Sequence, residues 1–257
     1  FPEQLHRPSA WFYGRWMPWT LRFAQRVIAV SEYTAAEAIR ELKLPADRLR
    51  VVLQGAERSG AADVAADAAA LERFQLPAKF ILHVGTVEPR KNLAFLVRVF
   101  ASFRQRFPAY DLVLAGSKGW LAGDVHRAVR DAGLEAHVRF LGGVNEVELR
   151  SLYRRARVMA FPSRYEGFGR PPLEAMAAGT PVVAAATSSI PEVVGEAGIL
   201  VTDYNEAAWV TALASAAEDE ERRRHLRQLG LKHSRQFTWE RAARSVAKVV
   251  HEAVVSD

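Results

Sequence analysis

Short apolar runs alternate with segments of helical periodicity along most of the chain, and nearly every run stops at a glycine or a proline. The first run is Arg26-Val27-Ile28-Ala29-Val30, after which Ser31 is placed to cap a helix through Leu42. Arg50-Val51-Val52-Leu53 reads as a second strand, stopped by Gly55. From residue 80 the rhythm sharpens. Phe80-Ile81-Leu82-His83-Val84 predicts a strand ending at Gly85, and Leu93, Leu96, Val97 and Phe100 then share a helical face. Leu112-Val113-Leu114-Ala115 ends at Gly116, and Val138-Arg139-Phe140-Leu141 ends at Gly142-Gly143. Asn145 and Glu148 have the spacing of a capping box for a helix to Arg155. Val158-Met159-Ala160-Phe161 stops at Pro162, and Pro171-Pro172 opens a helix that Gly179 closes. Pro181-Val182-Val183-Ala184-Ala185 is a further strand, and three helical stretches are expected to finish the chain. The alternation predicts an α/β fold, a parallel sheet covered on both faces by helices. Ligands of such sheets bind outside the carboxyl ends of the strands, so the loops that follow them are where chemistry is sought.

With 257 residues, 49% of them hydrophobic, the chain can form one large core or two modest ones. The absence of cysteine excludes a disulfide framework, thiolate metal sites and a cysteine nucleophile, and fits a reducing compartment. The longest apolar runs, such as residues 181–186, are too short to span a bilayer. No signal-peptide pattern opens the chain, which begins at Phe1 rather than Met, so the natural N-terminus is expected to lie upstream. A net charge of +6 admits anionic partners: phosphorylated small molecules, acidic lipid or nucleic acid. No helix-turn-helix, RNP or zinc-finger pattern supports nucleic acid. Trp11, Phe12, Trp16, Trp19 and Phe23, interleaved with Arg7, Arg15, Arg22 and Arg26, suit an anionic membrane surface or the inside of an N-terminal domain. Residues 59–70, almost all Ala and Asp, read as a linker or a short surface helix.

The dinucleotide and P-loop fingerprints are absent, as are D-x-D, H-E-x-x-H and G-x-S-x-G. The informative stretch is 162–183, P-S-R-Y-E-G-F-G-R-P-P-L-E-A-M-A-A-G-T-P-V-V. Its Gly167 and Gly169 allow backbone to approach a ligand, and its two prolines start a helix whose N-terminal amides form an anion site. Glu166 and Glu174 flank that turn. Either one alone is adequately explained as a solvated loop residue or a helix-end carboxylate. A second loop, Gly85-Thr86-Val87-Glu88-Pro89-Arg90-Lys91-Asn92, sets two cations beside a helix N-terminus. That opposes the helix dipole by roughly 0.3–1 kcal/mol each unless an anion compensates, which points to phosphate. A third loop, Ala115-Gly116-Ser117-Lys118-Gly119-Trp120, holds Lys118 between glycines and by itself reads as a simple turn.

Glu166 to Glu174 resembles the E-x7-E motif of the retaining GT-B glycosyltransferases of group 1, also called family 4. G-T-V-E-P-R-K-N, L-V-L-A-G, V-R-F-L-G-G-V and I-P-E-V-V-G-E-A-G-I-L-V accompany it in the family's order, over residues 80–257; residues 26–56 resemble the end of the family's N-terminal domain. The resemblance implies a Rossmann-like donor-binding domain at 80–237, a remnant of a second, acceptor-side α/β domain at 1–58, a linker at 59–79 and a crossing helix at 238–257 that packs back on the N-terminal domain. It implies transfer of a sugar from a nucleotide-diphosphate sugar to a glycan or lipid-linked acceptor, with retention and with neither metal nor cofactor. Lys91 matches the lysine on the donor diphosphate, with Arg90 as a second cation. Glu166 matches the glutamate facing the donor sugar, and Glu174 the one holding the ribose hydroxyls. Gly85, Thr86, Lys118, Gly167, Phe168, Gly169 and Arg170 fall on the donor side, and Val144 lies along the base.

Three positions depart from the pattern, one of them Gln54, where Asn before the glycine is usual. Thr86 stands where many relatives carry Arg, and Arg170 where an aliphatic residue is usual, which suggests an extra phosphate or acceptor contact. The G-T-V-E-P-R-K-N form is similar to bacterial enzymes of surface-polysaccharide assembly that use GDP-mannose. The location implied is cytoplasmic, peripheral on the inner face of the membrane. Because most of the acceptor-side domain is not represented, the chain is expected to bind donor without transferring sugar by itself. The competing reading is a non-catalytic nucleotide-sugar-binding module, separated from the first by sugar turnover in the longer polypeptide.

Overall fold

The computed structural model describes residues 12, 16–57, 64–119 and 123–255. The chain divides into two compact units, one made of Phe1–Gly55 with Phe237–Asp257, the other of Ala56–Gln236.

The first unit holds α1 (Met17–Leu21), β1 (Val27–Ala29), α2 (Glu32–Leu42), β2 (Leu49–Val51) and a terminal helix, Trp239–Val255. Strands β1 and β2 pair in parallel with Ile28 opposite Arg50. Ser31 Oγ accepts the Thr34 amide at 3.0 Å, the cap that the sequence predicts for α2. Thr238 Oγ1 likewise accepts the Arg241 amide at 3.2 Å at the start of the terminal helix. Val52 packs with Ala242 and Val249, and Arg50 Nε donates to Glu252 at 2.8 Å. The apolar stripe of that helix is thus only half covered within its unit: Trp239, Val246 and Val250 are 43%, 39% and 55% exposed. Of the aromatic–basic opening, Arg7, Trp11 and Arg15 lie outside the described residues. Phe12, Trp16, Trp19 and Phe23 are exposed, and the last three stack edge to face.

The second unit runs α3 (Val64–Arg73), β3 (Lys79–Val84), α4 (Leu93–Arg106), β4 (Tyr110–Ala115), α5 (Gly123–Asp131), β5 (Val138–Gly142), α6 (Glu146–Arg155), β6 (Val158–Phe161), α7 (Arg170–Ala177), β7 (Val182–Ala185), α8 (Ile190–Val194), β8 (Ile199–Val201), α9 (Glu206–Glu218) and α10 (Glu220–Ser234). Its strands form one parallel sheet in the order β5-β4-β3-β6-β7-β8. Phe80, Ile81, Leu82, Val158, Met159, Val182 and Val183 are wholly buried, as continuous apolar strands covered on both faces must be. The alanine-rich stretch from Val64 is a helix, tied to α6 through Asp67 with Arg154 and Arg73 with Glu148. Residues 59–63 of the expected linker lie outside the described residues.

One element differs from the sequence pattern. After β7 the chain forms α8 and an edge strand, β8, where only helices are expected. Ile199-Leu200-Val201 is too short for either periodicity to register, and its pairing with Val183–Ala185 creates the strand. No helix among the described residues is long and apolar enough to cross a membrane.

The strand order reverses between β3 and β6: one half of the sheet is laid outward through β4 to β5, the other through β7 to β8. The connections therefore leave in opposite directions at the carboxyl ends of β3 and β6, and a crevice opens there.

Candidate functional site

The loops that follow β3 and β6 meet at this crevice. Pro89–Lys91 forms a tight 3-10 turn, and Asn92, at φ 56°, turns the backbone into α4. The turn aims Lys91 inward, leaving its side chain 6% exposed. Lys91 Nζ donates to Glu166 Oε1 at 2.6 Å. Arg90 Nη1 donates to Glu166 Oε2 at 2.8 Å and to the Tyr165 carbonyl at 3.1 Å, while its Nε meets Glu88 at 2.6 Å. The Arg164 amide donates to the Arg90 carbonyl at 2.8 Å, joining the two loops through backbone. From the other side, Ser188 Oγ accepts the Glu166 amide and Ser189 Oγ donates to its carbonyl, both at 2.9 Å. Glu166 is thereby held through both carboxylate oxygens, its amide and its carbonyl.

Electrostatics follow from burial and pairing. Burial pushes the Glu166 carboxyl up, but the Lys91 ammonium and then Arg90 outweigh it and hold the group below the usual carboxylate range. Burial pushes the Lys91 ammonium down from its ordinary value, against the opposing pull of Glu166. Lys91 Nζ also lies 5.0 Å from the Phe161 ring centroid, over its face. Two cations at the start of α4 call for an anion, and in this structure Glu166 supplies it. The sequence reading of Glu166 as a solvated loop residue is excluded by its 7% exposure.

His83, at the end of β3, stacks on Phe161 and is fully buried. Its Nδ1–H donates to the Ala160 carbonyl at 3.0 Å, which leaves Nε2 as a buried acceptor without a partner. Burial, aided by the Lys91 charge, pushes the imidazole from 6.5 down to about 4, despite the Ala160 carbonyl and Glu166. The folded protein keeps this ring neutral, whereas the unfolded chain protonates it below about 6.5. Stability is therefore expected to fall as pH drops from 6.5 towards 4, by about 3 kcal/mol from this group. Glu166 adds a loss of the same sign at lower pH, below the unfolded carboxylate value. Chemical denaturation across this window checks it: His83→Phe should flatten the slope above pH 5, and an unchanged slope would reject the assignment.

The remaining candidates line the same end of the sheet. The Gly85 amide donates to Ala115 O at 2.9 Å and the Gly116 amide to Gly142 O at 2.8 Å, so the loops after β3, β4 and β5 lie side by side. Val87 pairs with Lys118 as an isolated parallel bridge, which sets the third loop against the first; the Thr86 and Lys118 side chains are exposed. Val144, in the loop after β5, is half-buried. Gly167 is half-buried, Phe168 is buried, and the Phe168 carbonyl accepts Ser189 Oγ at 2.9 Å. Gly169, at φ 107°, takes a conformation that side chains disfavour and starts α7 directly against Ile190, whose Cδ1 would lie 2.6 Å from a Cβ. Glu174, one turn into α7, accepts Tyr153 Oη at Oε2 and Arg170 Nη2 at Oε1, each at 3.0 Å. Arg170 is thus engaged with Glu174, a contact that its spacing of four on one helix face foreshadows. The structure joins Arg90, Lys91 and Glu166 in one bonded group and Arg170 and Glu174 in another.

Three participants escape the sequence reading: His83, Tyr153 and the Ser188-Ser189 pair. A histidine inside an otherwise apolar strand is the one visible signal among them. Among the described residues no group of three or more His, Asp or Glu side chains is placed to hold a metal ion.

Comparison with known proteins adds a lineage to this geometry. The chain is 35% identical over 228 residues to the O-antigen chain mannosyltransferase B of Escherichia coli, covering 86% of this chain and 59% of that one. It is 32% identical over 222 residues to the D-inositol 3-phosphate glycosyltransferase of Corynebacterium glutamicum (strain R), covering 82% and 53%. The chain thus spans little more than half the length of these relatives. Its fold matches sucrose-phosphate synthase from Thermosynechococcus elongatus with a TM-score of 0.78 at 26% identity, over 94% of this chain and 61% of that one. Residues 1–59 match the model of the Glycosyltransferase Family 4 family. Residues 69–233 match that of the glycosyl transferases group 1, and with its Rossmann-like parallel sheet the chain belongs to that family, of GT-B fold.

Proposed function

We propose that the switch-point crevice holds the diphosphate of a nucleotide sugar, and that the protein moves the sugar to a glycan or lipid-linked acceptor with retention and without a metal. The observation that carries this is the buried Lys91–Glu166 pair, braced by Arg90, at the carboxyl ends of β3 and β6. Breaking a glycosyl–phosphate bond puts negative charge on the leaving diphosphate and positive charge on the sugar ring. Lys91 spends one of its three N–H donors on Glu166, leaving two for phosphate oxygens. Arg90, Thr86 and Lys118 add to that cradle, and Gly85, where a Cβ would stand 3.2 Å from Lys91 Cε, leaves room for it. Glu166 positions the sugar and favours its cationic ring, Gly167, Phe168 and Gly169 offer backbone to it, Glu174 takes the ribose hydroxyls, and Val144 lies along the base.

GDP-mannose is the donor we favour, supported by the similarity to the E. coli mannosyltransferase. The test is incubation of the full-length polypeptide with GDP-mannose and a lipid-linked acceptor in EDTA, with the product's anomeric configuration read by NMR. Retained configuration is expected. An inverted product or an absolute metal requirement would reject the mechanism, and donor binding without turnover would favour a nucleotide-sugar-binding module. The exposed Trp16, Trp19 and Phe23 support a further part of the proposal, a cytoplasmic protein peripheral on an anionic membrane. Flotation with acidic vesicles but not neutral ones is its expected sign; indifference to anionic lipid would remove it.

A further inference from the structure

Glu174 is the one member of the site whose carboxylate is bonded by two side chains that do nothing else in the proposed chemistry. Tyr153 comes from α6 and is 2% exposed, and Thr180 Oγ1 donates to its carbonyl from beyond α7. Its hydroxyl donates to Oε2 at 3.0 Å. Arg170 reaches Oε1 at 3.0 Å from one turn earlier on α7. Burial, then the neighbouring Glu174, pushes the phenol well above its ordinary value, so it stays a donor at any working pH.

An ionised carboxylate has about four acceptor directions, two on each oxygen. Tyr153 and Arg170 take one on each. What remains is a matched pair of acceptor directions, one per oxygen, and a vicinal diol presents two O–H donors with that spacing. A glutamate without these bonds turns about three side-chain torsions and gives up that freedom on binding, at a cost in affinity. A phenol fixed in the core cannot follow such turning, so the carboxylate is held before the ligand arrives.

We infer that Tyr153, seconded by Arg170, is a positioning residue that fixes the Glu174 carboxylate for recognition of a ribose 2′,3′-diol. This rests on the reading of Glu174 as the ribose ligand. The inference makes the site selective for ribose over sugars that lack the diol, through a residue that never touches the nucleotide. Arg170 is the more exposed of the two donors, and its share is the smaller.

The test is calorimetry of the chain with GDP and UDP and with their 2′,3′-dideoxy counterparts. Tyr153→Phe removes one oxygen and keeps the ring. It should weaken the ribonucleotides by about tenfold or more and leave the dideoxy ligands unchanged, so the ribo-to-dideoxy ratio collapses. Arg170→Leu, at an exposed position that cannot threaten the fold, should lower the same ratio by about threefold. Equal weakening of both ligand classes, or an unchanged ratio in both variants, overturns the inference. Glu174→Gln separates the two levels. If it leaves the ratio intact, the ribose assignment itself is wrong; if it abolishes the ratio while Tyr153→Phe keeps it, only the positioning role fails.

Discussion

Lys91→Met is expected to weaken binding of a nucleoside diphosphate by about thirtyfold or more and to leave the parent nucleoside's affinity unchanged. The ammonium sits at the crevice with two donors uncommitted, and only a ligand carrying phosphates can use them. Methionine keeps the length and the apolar stem, so the packing over Phe161 survives. Stability should fall as well, by about 3 kcal/mol, because Glu166 loses its closest partner while remaining buried. Arg90, still on Oε2, keeps the loss near the low end. The double substitution Lys91→Met with Glu166→Gln should recover most of the stability and none of the affinity, which a double-mutant cycle resolves. Equal losses for diphosphate and nucleoside would show that Lys91 does not face the phosphates.

Gly116→Ala should cost about 3 kcal/mol or more and lower Tm by roughly 6–12 °C. Gly116 holds φ 151°, and a Cβ there would stand 2.1 Å from the Gly85 carbonyl oxygen, which is backbone and cannot rotate away. Relief requires parting the loops after β3 and β4. The Gly85 amide to Ala115 bond would go first, and with it the turn that presents Lys91. Donor affinity should fall together with stability. A variant of native Tm and native affinity would mean that these loops do not need their close approach.

Much of the fold was legible because the central strands are apolar runs with a glycine or proline stop, and Ser31, Asn145 and Thr238 cap the helices that follow them. The capping box at Asn145 and Glu148 is present as the spacing requires. The edge strand β8 was not legible, since it is three residues long and exists through its pairing with β7. The site was half legible. Its motifs marked Arg90, Lys91, Glu166 and Glu174, yet Lys91 and Glu166 lie 75 positions apart. Nothing local says that their carboxylate and ammonium touch. That contact comes from the sheet order, which sets β6 beside β3 although two strands intervene in the chain. Tyr153 was illegible for another reason: in apolar surroundings, a residue that fills space and one that aims a neighbour have the same pattern.

The switch-point crevice as a diphosphate site is tested most directly by titrating the 257-residue chain calorimetrically, in EDTA, with GDP, UDP, guanosine and uridine. At least one diphosphate should bind about a hundredfold more tightly than its nucleoside, with an affinity that EDTA does not change. Equal affinities for diphosphate and nucleoside, or diphosphate binding that vanishes in EDTA, would contradict it.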